Sequence, residues 1–404
     1  MSHAPPQGIL NALAERQAAQ ALRRLVPLDL GAGVDLCSND YLGLARVLGE
    51  RDALQQVVST QLAQNGVLGA TGSRLVSGSS KAHCDLEHFI AQQHDCEAAL
   101  LFGSGYEANL GLLGALGSRS DTIIYDKLLH ASMRDGVRLS LARSFSFKHN
   151  DLGDLRDKLM NARGERFVAV ESLYSMDGDY APLGELCAVC EEFGAFLIVD
   201  EAHATGVFGE QGQGLVQQAG LQERVFARVH TFGKALGFRG AVVVGSKTLR
   251  EYLINFARTF VYSTAPDLLS LALVRRAYEV SAGMSRERSM LAALIEQVRA
   301  LRGDFPNLEF IDSTSPIQGV IISGNDRVLA VEERLWAEGF FARAIRSPTV
   351  PAGRERIRLC LHVFNSLREV RAALSVISAA LSVISAVLTV ISAPAAMAEA
   401  PDGC

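Results

Sequence analysis

The chain has no surplus of positive charge: 39 Lys and Arg stand against 44 Asp and Glu, for a net charge of −5 and a pI near 6.0. Without a basic field there is no electrostatic footprint for nucleic acid, and an anionic ligand must be met by individually placed arginines. The sequence also lacks an N-terminal apolar run ahead of Arg16 and Arg23, and its seven cysteines are odd in number. Both absences argue against secretion and for a reducing compartment, with the cytoplasm as the expected location. Cys187 and Cys190 have no second cysteine pair to complete a zinc site, so on one helical face they read as two small buried residues. No metal site is expected.

What the sequence does have is length and alternation. A chain of 404 residues can bury a large core and divide into two packed lobes. Apolar runs at 122–125, 167–170, 196–199 and 241–244 are separated by helical stretches long enough for parallel crossovers, which predicts an α/β fold with an open, mainly parallel sheet. Residues 7–25 have helical spacing and predict an N-terminal helix packed across the body; 36–44 predict a short strand and a Ser-Asn-Asp turn. The Gly- and Ser-rich stretch 66–80 predicts a functional loop, followed by a helix over 81–94. A long helical stretch runs from 267 to about Leu301. Beyond it, short strands at 308–311, 317–322 and 357–361 around a helix at 327–338 predict a smaller C-terminal α/β lobe.

The most informative stretch is Phe196 to Lys234. F-L-I-V-D-E-A-H places Asp200 and then His203 directly after a buried-strand pattern, and H-T-F-G-K ends in Lys234. A lysine that can join an aldehyde, with a carboxylate that can hold a pyridinium proton, is the pair a pyridoxal phosphate (PLP) enzyme needs. A strand-end Asp capping a turn, with an ordinary surface lysine, fits the spacing equally well. Gly103 to Ala108 reads G-x-G-x-x-A after an apolar strand; glycine there bares helix N-terminal amides toward a phosphate. The same run matches a dinucleotide fingerprint, and Asp126 at the end of the next strand keeps a nicotinamide oxidoreductase open. Residues at strand C-terminal ends, where ligands gather in such sheets, are His130, Glu171, Ser175, Asp200, His203, Thr231 and Lys234.

The C-terminus repeats itself. A-L-S-V-I-S-A at 373–379 recurs at 380–386 and, as V-L-T-V-I-S-A, at 387–393; Ala372 to Ala393 carry no charge. The length would span a membrane, but serine and alanine keep its hydrophobicity modest. The first copy reads as the last helix of the small lobe and the rest as an extension without an essential role, leaving no membrane partner expected.

Taken in order, many motifs coincide: N-D-Y-L-G-L at 39–44, T-G-S-R-L-V-S-G at 71–78, H-A-S-x-x-D-G at 130–136, H-N-D at 149–151, and Y-S-M-D-G-D-x-A-P-L at 174–183. D-E-A-H at 200–203, G-E-Q-G-x-G at 209–214, T-F-G-K at 231–234 and Y-S-T at 262–264 complete the series. In this the chain resembles the α-oxoamine synthases up to about residue 380. The resemblance implies the aspartate-aminotransferase-like fold (PLP fold type I) and pyridoxal 5'-phosphate as cofactor. The implied domains are an N-terminal helix and segment (1–48), a large PLP-binding domain (49–283), a small C-terminal domain (284–379) and the repetitive tail (380–404). A-I-R-S-P-T-V-P-A-G-x-x-R-I-R-L at 344–359 is most similar to the branch that joins L-alanine to a pimeloyl thioester, in which the carrier is coenzyme A or a carrier protein.

Roles then follow from matching positions. The resemblance implies that Lys234 holds the cofactor covalently and moves the substrate proton, that Asp200 keeps the ring nitrogen protonated, that His130 stacks on the ring, and that His203 and Ser175 meet its phenolic oxygen. It implies a phosphate held by the backbone of Gly105 and Tyr106, by Thr231, and by Thr264 of a partner, hence a homodimer with shared sites. It further implies that Arg358 grips the amino-acid carboxylate, that Asn39 and Glu171 line the acyl-transfer side, and that Arg23 receives the distal carboxylate of the acyl chain. The plain alternatives are a His130 satisfied in the interior and Arg356 and Arg358 facing solvent from an edge strand. Phe238 and Arg239 stand where the family carries small residues, placed to narrow or charge the mouth of the site. Sibling condensations of glycine or serine with acetyl or long-chain acyl-CoA, and a non-catalytic relative, are the competing functions.

Overall fold

The computed structural model describes residues 5–48, 55–60, 63 and 69–392, with side chains described as far as 384. Part of the Gly- and Ser-rich stretch and the last residues of the tail lie outside that range. Seven strands form one sheet in the order β2-β8-β7-β6-β5-β3-β4. They are β2 (Ala98–Phe102), β3 (Thr122–Asp126), β4 (Arg143–Phe147), β5 (Arg166–Glu171), β6 (Ala195–Asp200), β7 (Ala227–Thr231) and β8 (Ala241–Gly245). All pairings are parallel except the two made by β8. The apolar runs that announced the strands are buried from end to end in β2 and β8 to the last residue but one, as expected where helices cover both faces.

One face is covered by α3 (Gly105–Ala115), α4 (Ala131–Leu139) and α7 (Lys247–Phe256), through Leu112, Leu113, Met133, Val137, Leu249 and Leu253. The other is covered by α5 (Leu152–Met160) and α6 (Leu183–Glu192), where Cys187 and Cys190 are buried as small apolar residues. Two strands of this sheet escaped the sequence reading. β4 is an outer strand with four exposed residues. β7 carries Arg228 and His230, yet is buried throughout. His230 stacks on His94 with ring centroids 3.9 Å apart, its Nδ1 meets Thr205 Oγ1 at 2.9 Å, and Arg228 donates to the His94 carbonyl. Tertiary partners, invisible in local periodicity, make these polar residues compatible with a central strand.

A second, antiparallel sheet of order β12-β13-β10-β9 comprises β9 (Glu309–Phe310), β10 (Ile317–Ile321), β12 (Arg343–Ile345) and β13 (Arg356–Cys360). It packs with α2 (Lys81–Gln93), α8 (Leu268–Ala282), α9 (Ser285–Leu301), α10 (Asn325–Ala337) and α11 (Leu367–Ser392) in one continuous apolar cluster. The helical stretch after 267 is thus two helices, broken at Gly283. The N-terminal strand is β1 (Val34–Asp35), paired in parallel with β11 (Phe340–Phe341), and 36–44 is mainly turn. The N-terminal helix α1 (Gln7–Ala18) has no buried residue, so within this chain it does not pack across the body as expected. The tail differs too: α11 runs unbroken through the repeats, burying Leu374 and Ile377 and resting Leu381 and Ile384 on the core. No helix among the described residues is long and apolar enough to cross a membrane.

Candidate active site

The C-terminal ends of β5, β6 and β7 and the first turn of α3 enclose a cavity of about 160 Å³. Gly105, Tyr106, His130, Glu171, Asp200, Thr231 and Lys234 line it, together with Asn109 and Ser132. The sequence reading thus named most of the lining, from residues scattered over 130 positions.

The end of the cavity at α3 follows from local rules. Ser104 caps α3, accepting from Glu107 N at 3.2 Å, and the Glu107 carboxylate reaches back to Gly103 N at 3.0 Å. That leaves the Gly105 and Tyr106 amides at the cavity, with the positive end of the helix behind them. A Cβ at Gly105 would stand 3.3 Å from Thr231 Oγ1, so glycine brings amides and hydroxyl into one cradle. Thr231 itself donates to Gly240 O at 3.3 Å. The Tyr106 hydroxyl is engaged with Asp135.

At the other end Asp200, 4% exposed, accepts from Ala202 N at 2.7 Å and from Asn109 Nδ2 at 2.7 Å. Asn109 Nδ2 also donates to Ser132 Oγ at 3.0 Å, and Ser132 Oγ lies 2.7 Å from His130 Nδ1. Because Ser132 N donates to that same Nδ1 at 3.2 Å, the ring accepts there and carries its proton on Nε2. His130 is exposed at the cavity, so the alternative of an interior histidine is excluded. The sequence reading missed Asn109 and Ser132. Asn109 lies one helical turn beyond Gly105, on the same face, and that spacing was the available signal.

Lys234 sits in the hairpin between β7 and β8, closed by Phe232 N to Gly240 O at 2.9 Å and Phe238 N to Phe232 O at 2.7 Å. Burial pushes its amine down to about 8, against the pull of Asp200 and Glu171. Glu171 is the register partner of Asp200 on the adjacent strand; burial, reinforced by the Asp200 charge, pushes its carboxyl up to about 8. Among the described residues, Glu171 Oε1 and Asn109 Oδ1 are buried polar atoms without a partner, and both residues line this cavity. Such atoms ask for a ligand. A ring with a cationic nitrogen, an aldehyde and a phosphate fits the donors present: Asp200 for the nitrogen, Lys234 for the aldehyde, the cradle for the phosphate.

Asn39, His203, Ser175 and Arg358 form a second group around Tyr41. Arg358 Nε donates to the Ser175 carbonyl at 2.8 Å and Nη2 to Asn39 Oδ1 at 3.2 Å. Tyr41 Oη donates to Asn39 Oδ1 at 3.2 Å and shares a 2.8 Å bond with His203 Nδ1. Burial, with the Lys234 charge, holds His203 well below the ordinary histidine value, so it is neutral. Arg356 and Arg358 lie on an interior strand and are both buried, which excludes the solvent-facing alternative; Arg356 pairs with Asp177. Asn39 thus supports Arg358 directly. Phe238 packs on the core rather than into the cavity.

Two expected residues stand apart from both groups. Arg23 is exposed and donates to Thr349 Oγ1 at 3.0 Å, on a segment held by Arg346 through the carbonyls of Gln20 and Leu22. Thr264 is exposed and bridges to Ser73.

The dinucleotide reading fails on topology. Four strands separate β2 from β3, whereas a dinucleotide fold needs them adjacent and parallel. Asp126 is fully buried and accepts from Leu128 N, Asn150 N and His149 Nδ1.

The profile of the aminotransferase class I and II family matches residues 32–377. An 8-amino-7-oxononanoate synthase of Emericella nidulans is 39% identical, covering 90% of this chain and 92% of its own. One of Marinobacter nauticus is 42% identical, covering 85% and 86%. Among solved structures, the 8-amino-7-oxononanoate synthase of Francisella tularensis is 27% identical with a TM-score of 0.76, covering 88% and 99%. SPT with PLP is 25% identical with a TM-score of 0.81, covering 94% and 99%. On these matches and this cavity, the chain belongs to the aminotransferase class I and II family, in its α-oxoamine synthase branch, and is a PLP-dependent enzyme of acyltransferase type.

Proposed function

We propose that the chain condenses L-alanine with a pimeloyl thioester, releasing carbon dioxide and the thiol carrier and forming 8-amino-7-oxononanoate for biotin assembly. The single observation that carries this reading is the shared name of relatives 39% and 42% identical over most of the chain. When bound, PLP supplies an electron sink that stabilises negative charge at the substrate α-carbon. Lys234 Nζ would hold it covalently and would be the base for the α-proton. Its lowered proton affinity suits both roles.

Asp200 holds a proton on the ring nitrogen, and Asn109 holds Asp200. His130 would cover one face of the ring, and neutral His203 would meet its phenolic oxygen. Arg358, buried and held by the Ser175 carbonyl and Asn39, takes the alanine carboxylate. Arg23 takes the far carboxylate of the acyl chain, with Thr349 fixing its guanidinium; Asn39 and Glu171 flank the acyl transfer. Thr264 reaches the phosphate of a partner subunit in a homodimer working in the cytoplasm.

A panel of amino acids and thioesters tests the reading. Alanine with a pimeloyl thioester is expected to release thiol and carbon dioxide in equal amounts. Release from glycine or serine with another thioester, and none from the alanine pair, would assign a sibling activity instead.

A further inference from the structure

A phosphate needs charge as well as amides. The cavity is lined by two carboxylates, Glu171 and Asp200, and by one cation, Lys234; the lysine lies with the carboxylates, on which its proton affinity depends. The cradle of Gly105, Tyr106 and Thr231 is therefore without a cationic side chain of its own among the described residues lining the cavity. Backbone amides and a helix end favour an anion by a modest amount; a phosphate dianion ordinarily also has a guanidinium or ammonium nearby.

Arg239 stands at this end of the site. Its Nε donates to the Gly103 carbonyl at 3.3 Å, two residues before the first cradle amide. It precedes Gly240, whose carbonyl accepts from the cradle hydroxyl Thr231 Oγ1 at 3.3 Å. Its position is fixed by the strand pairing on both sides: Thr231 and Phe102 both have Ala241 as register partner. Gly240 has φ +117°, and a Cβ there would stand 2.9 Å from the Phe232 ring, so the turn that presents Arg239 cannot slide. Arg239 is exposed, has no carboxylate partner among the described residues, and its two Nη groups are without a protein acceptor there. An arginine tied down by Nε with its fork free is arranged to receive an anion.

We propose that Arg239 is the cation that neutralises the phosphate of the bound cofactor, held beside the N-terminus of α3 by its bond to Gly103. This rests on the reading that Gly105, Tyr106 and Thr231 hold that phosphate. Because the guanidinium is exposed, solvent weakens its contribution without cancelling it.

The test titrates the full-length protein, freed of cofactor, with PLP and with pyridoxal, which lacks the phosphate. Arg239→Gln is expected to raise the Kd for PLP about three- to fivefold and leave that for pyridoxal unchanged, while Arg239→Lys stays within about twofold of wild type. Thr231→Val serves as the control for the cradle and is expected to lower the preference for PLP independently. If Thr231→Val lowers the preference and Arg239→Gln does not, the inference about Arg239 is wrong and the cradle stands. If the wild-type protein binds pyridoxal as tightly as PLP, the cradle reading fails first. An Arg239→Gln protein with unchanged cofactor preference and a raised KM for a coenzyme A thioester, but not for a short thioester lacking the nucleotide, would overturn the proposal and assign the arginine to the acyl donor.

Discussion

Asn109 Nδ2 lies 2.7 Å from Asp200 Oδ2, and the same amide donates to Ser132 Oγ at 3.0 Å. One side chain therefore couples the carboxylate at the end of β6 to the hydroxyl that lies against His130 Nδ1. Asn109→Leu removes both donations while keeping the helix. Leaving a buried carboxylate oxygen short of a donor costs about 1–3 kcal/mol, so kcat is expected to fall roughly 10- to 100-fold, with a change in the visible absorption of the bound cofactor. An unchanged spectrum and rate would show that Asp200 is positioned by its strand alone.

The pH dependence of cofactor attachment has a definite sign. Only the free amine of Lys234 attacks an aldehyde, and burial lowers its proton affinity from 10.5 to about 8. The rate at which PLP is captured by cofactor-free protein is expected to be half-maximal near pH 8 and to fall about tenfold per pH unit below that. Glu171→Gln deletes one of the two carboxylates that raise the affinity, so the midpoint moves further down. Stopped-flow absorbance across this range checks both, and a midpoint above 10 would mean an unperturbed lysine.

In the proposed assignment Arg23 serves recognition of the acyl chain and not the chemistry. It lies outside the cavity and touches Thr349, so Arg23→Ala is expected to raise KM for the pimeloyl donor about tenfold or more, as loss of a charged hydrogen bond implies. The affinity for alanine, read from the spectral change on binding, stays the same. Loss of alanine binding instead would mean that the substitution disturbs the segment held by Arg346.

How much of this was legible beforehand depends on whether a residue's partners were local. Asp200, Lys234 and the Gly105 turn were readable because strand ends and helix starts have sequence signatures of a few residues. Asn109 was not, since nothing near Ala108 or Leu110 says that the amide faces a strand 91 residues away. β7 failed for the same reason in reverse: Arg228 and His230 break the apolar pattern, and it is Thr205, with His94 brought across from the end of α2, that makes them buryable. The unbroken α11 and the unpacked α1 show that helical periodicity predicts a helix without saying what it rests on.

Three histidines make stability depend on pH in opposite senses. His94 and His230 are fully buried, and burial holds both well below the ordinary value. Below about pH 6.5 the unfolded chain takes up protons that the folded one refuses, so stability falls with pH by roughly 1.4 kcal/mol per unit for each ring. His149 acts in the opposite sense. Burial disfavours its charge, but hydrogen bonds to Asp126 and Asp179 overcome this and raise it to about 10. Its contribution is complete below the unfolded value and is lost as pH rises through about 10. Urea midpoints against pH should decline at both ends, with His149→Ala flattening only the alkaline limb and His230→Gln only the acid one.

The repeated C-terminus offers a prediction in which two truncations seven residues apart behave differently. Leu374 and Ile377 of the first repeat are fully buried. In the second repeat Leu381 and Ile384 still rest on the core cluster, whereas Val383 is 63% exposed. The heptad spacing keeps one face of α11 on the body for a further turn beyond the first copy, because leucine and isoleucine recur at 3- and 4-residue steps. Ending the chain after Ala386 removes nothing described as packed and should leave the melting temperature and kcat unchanged. Ending it after Ala379 deletes two half-buried aliphatic side chains and bares the core surface they rest on, worth about 1–3 kcal/mol together, and should lower the melting temperature by a few degrees with kcat retained. Equal melting temperatures for the two would place the functional end of the helix at the first repeat; a loss of kcat in the shorter chain would tie the second repeat to the site, which the packing gives no reason to expect.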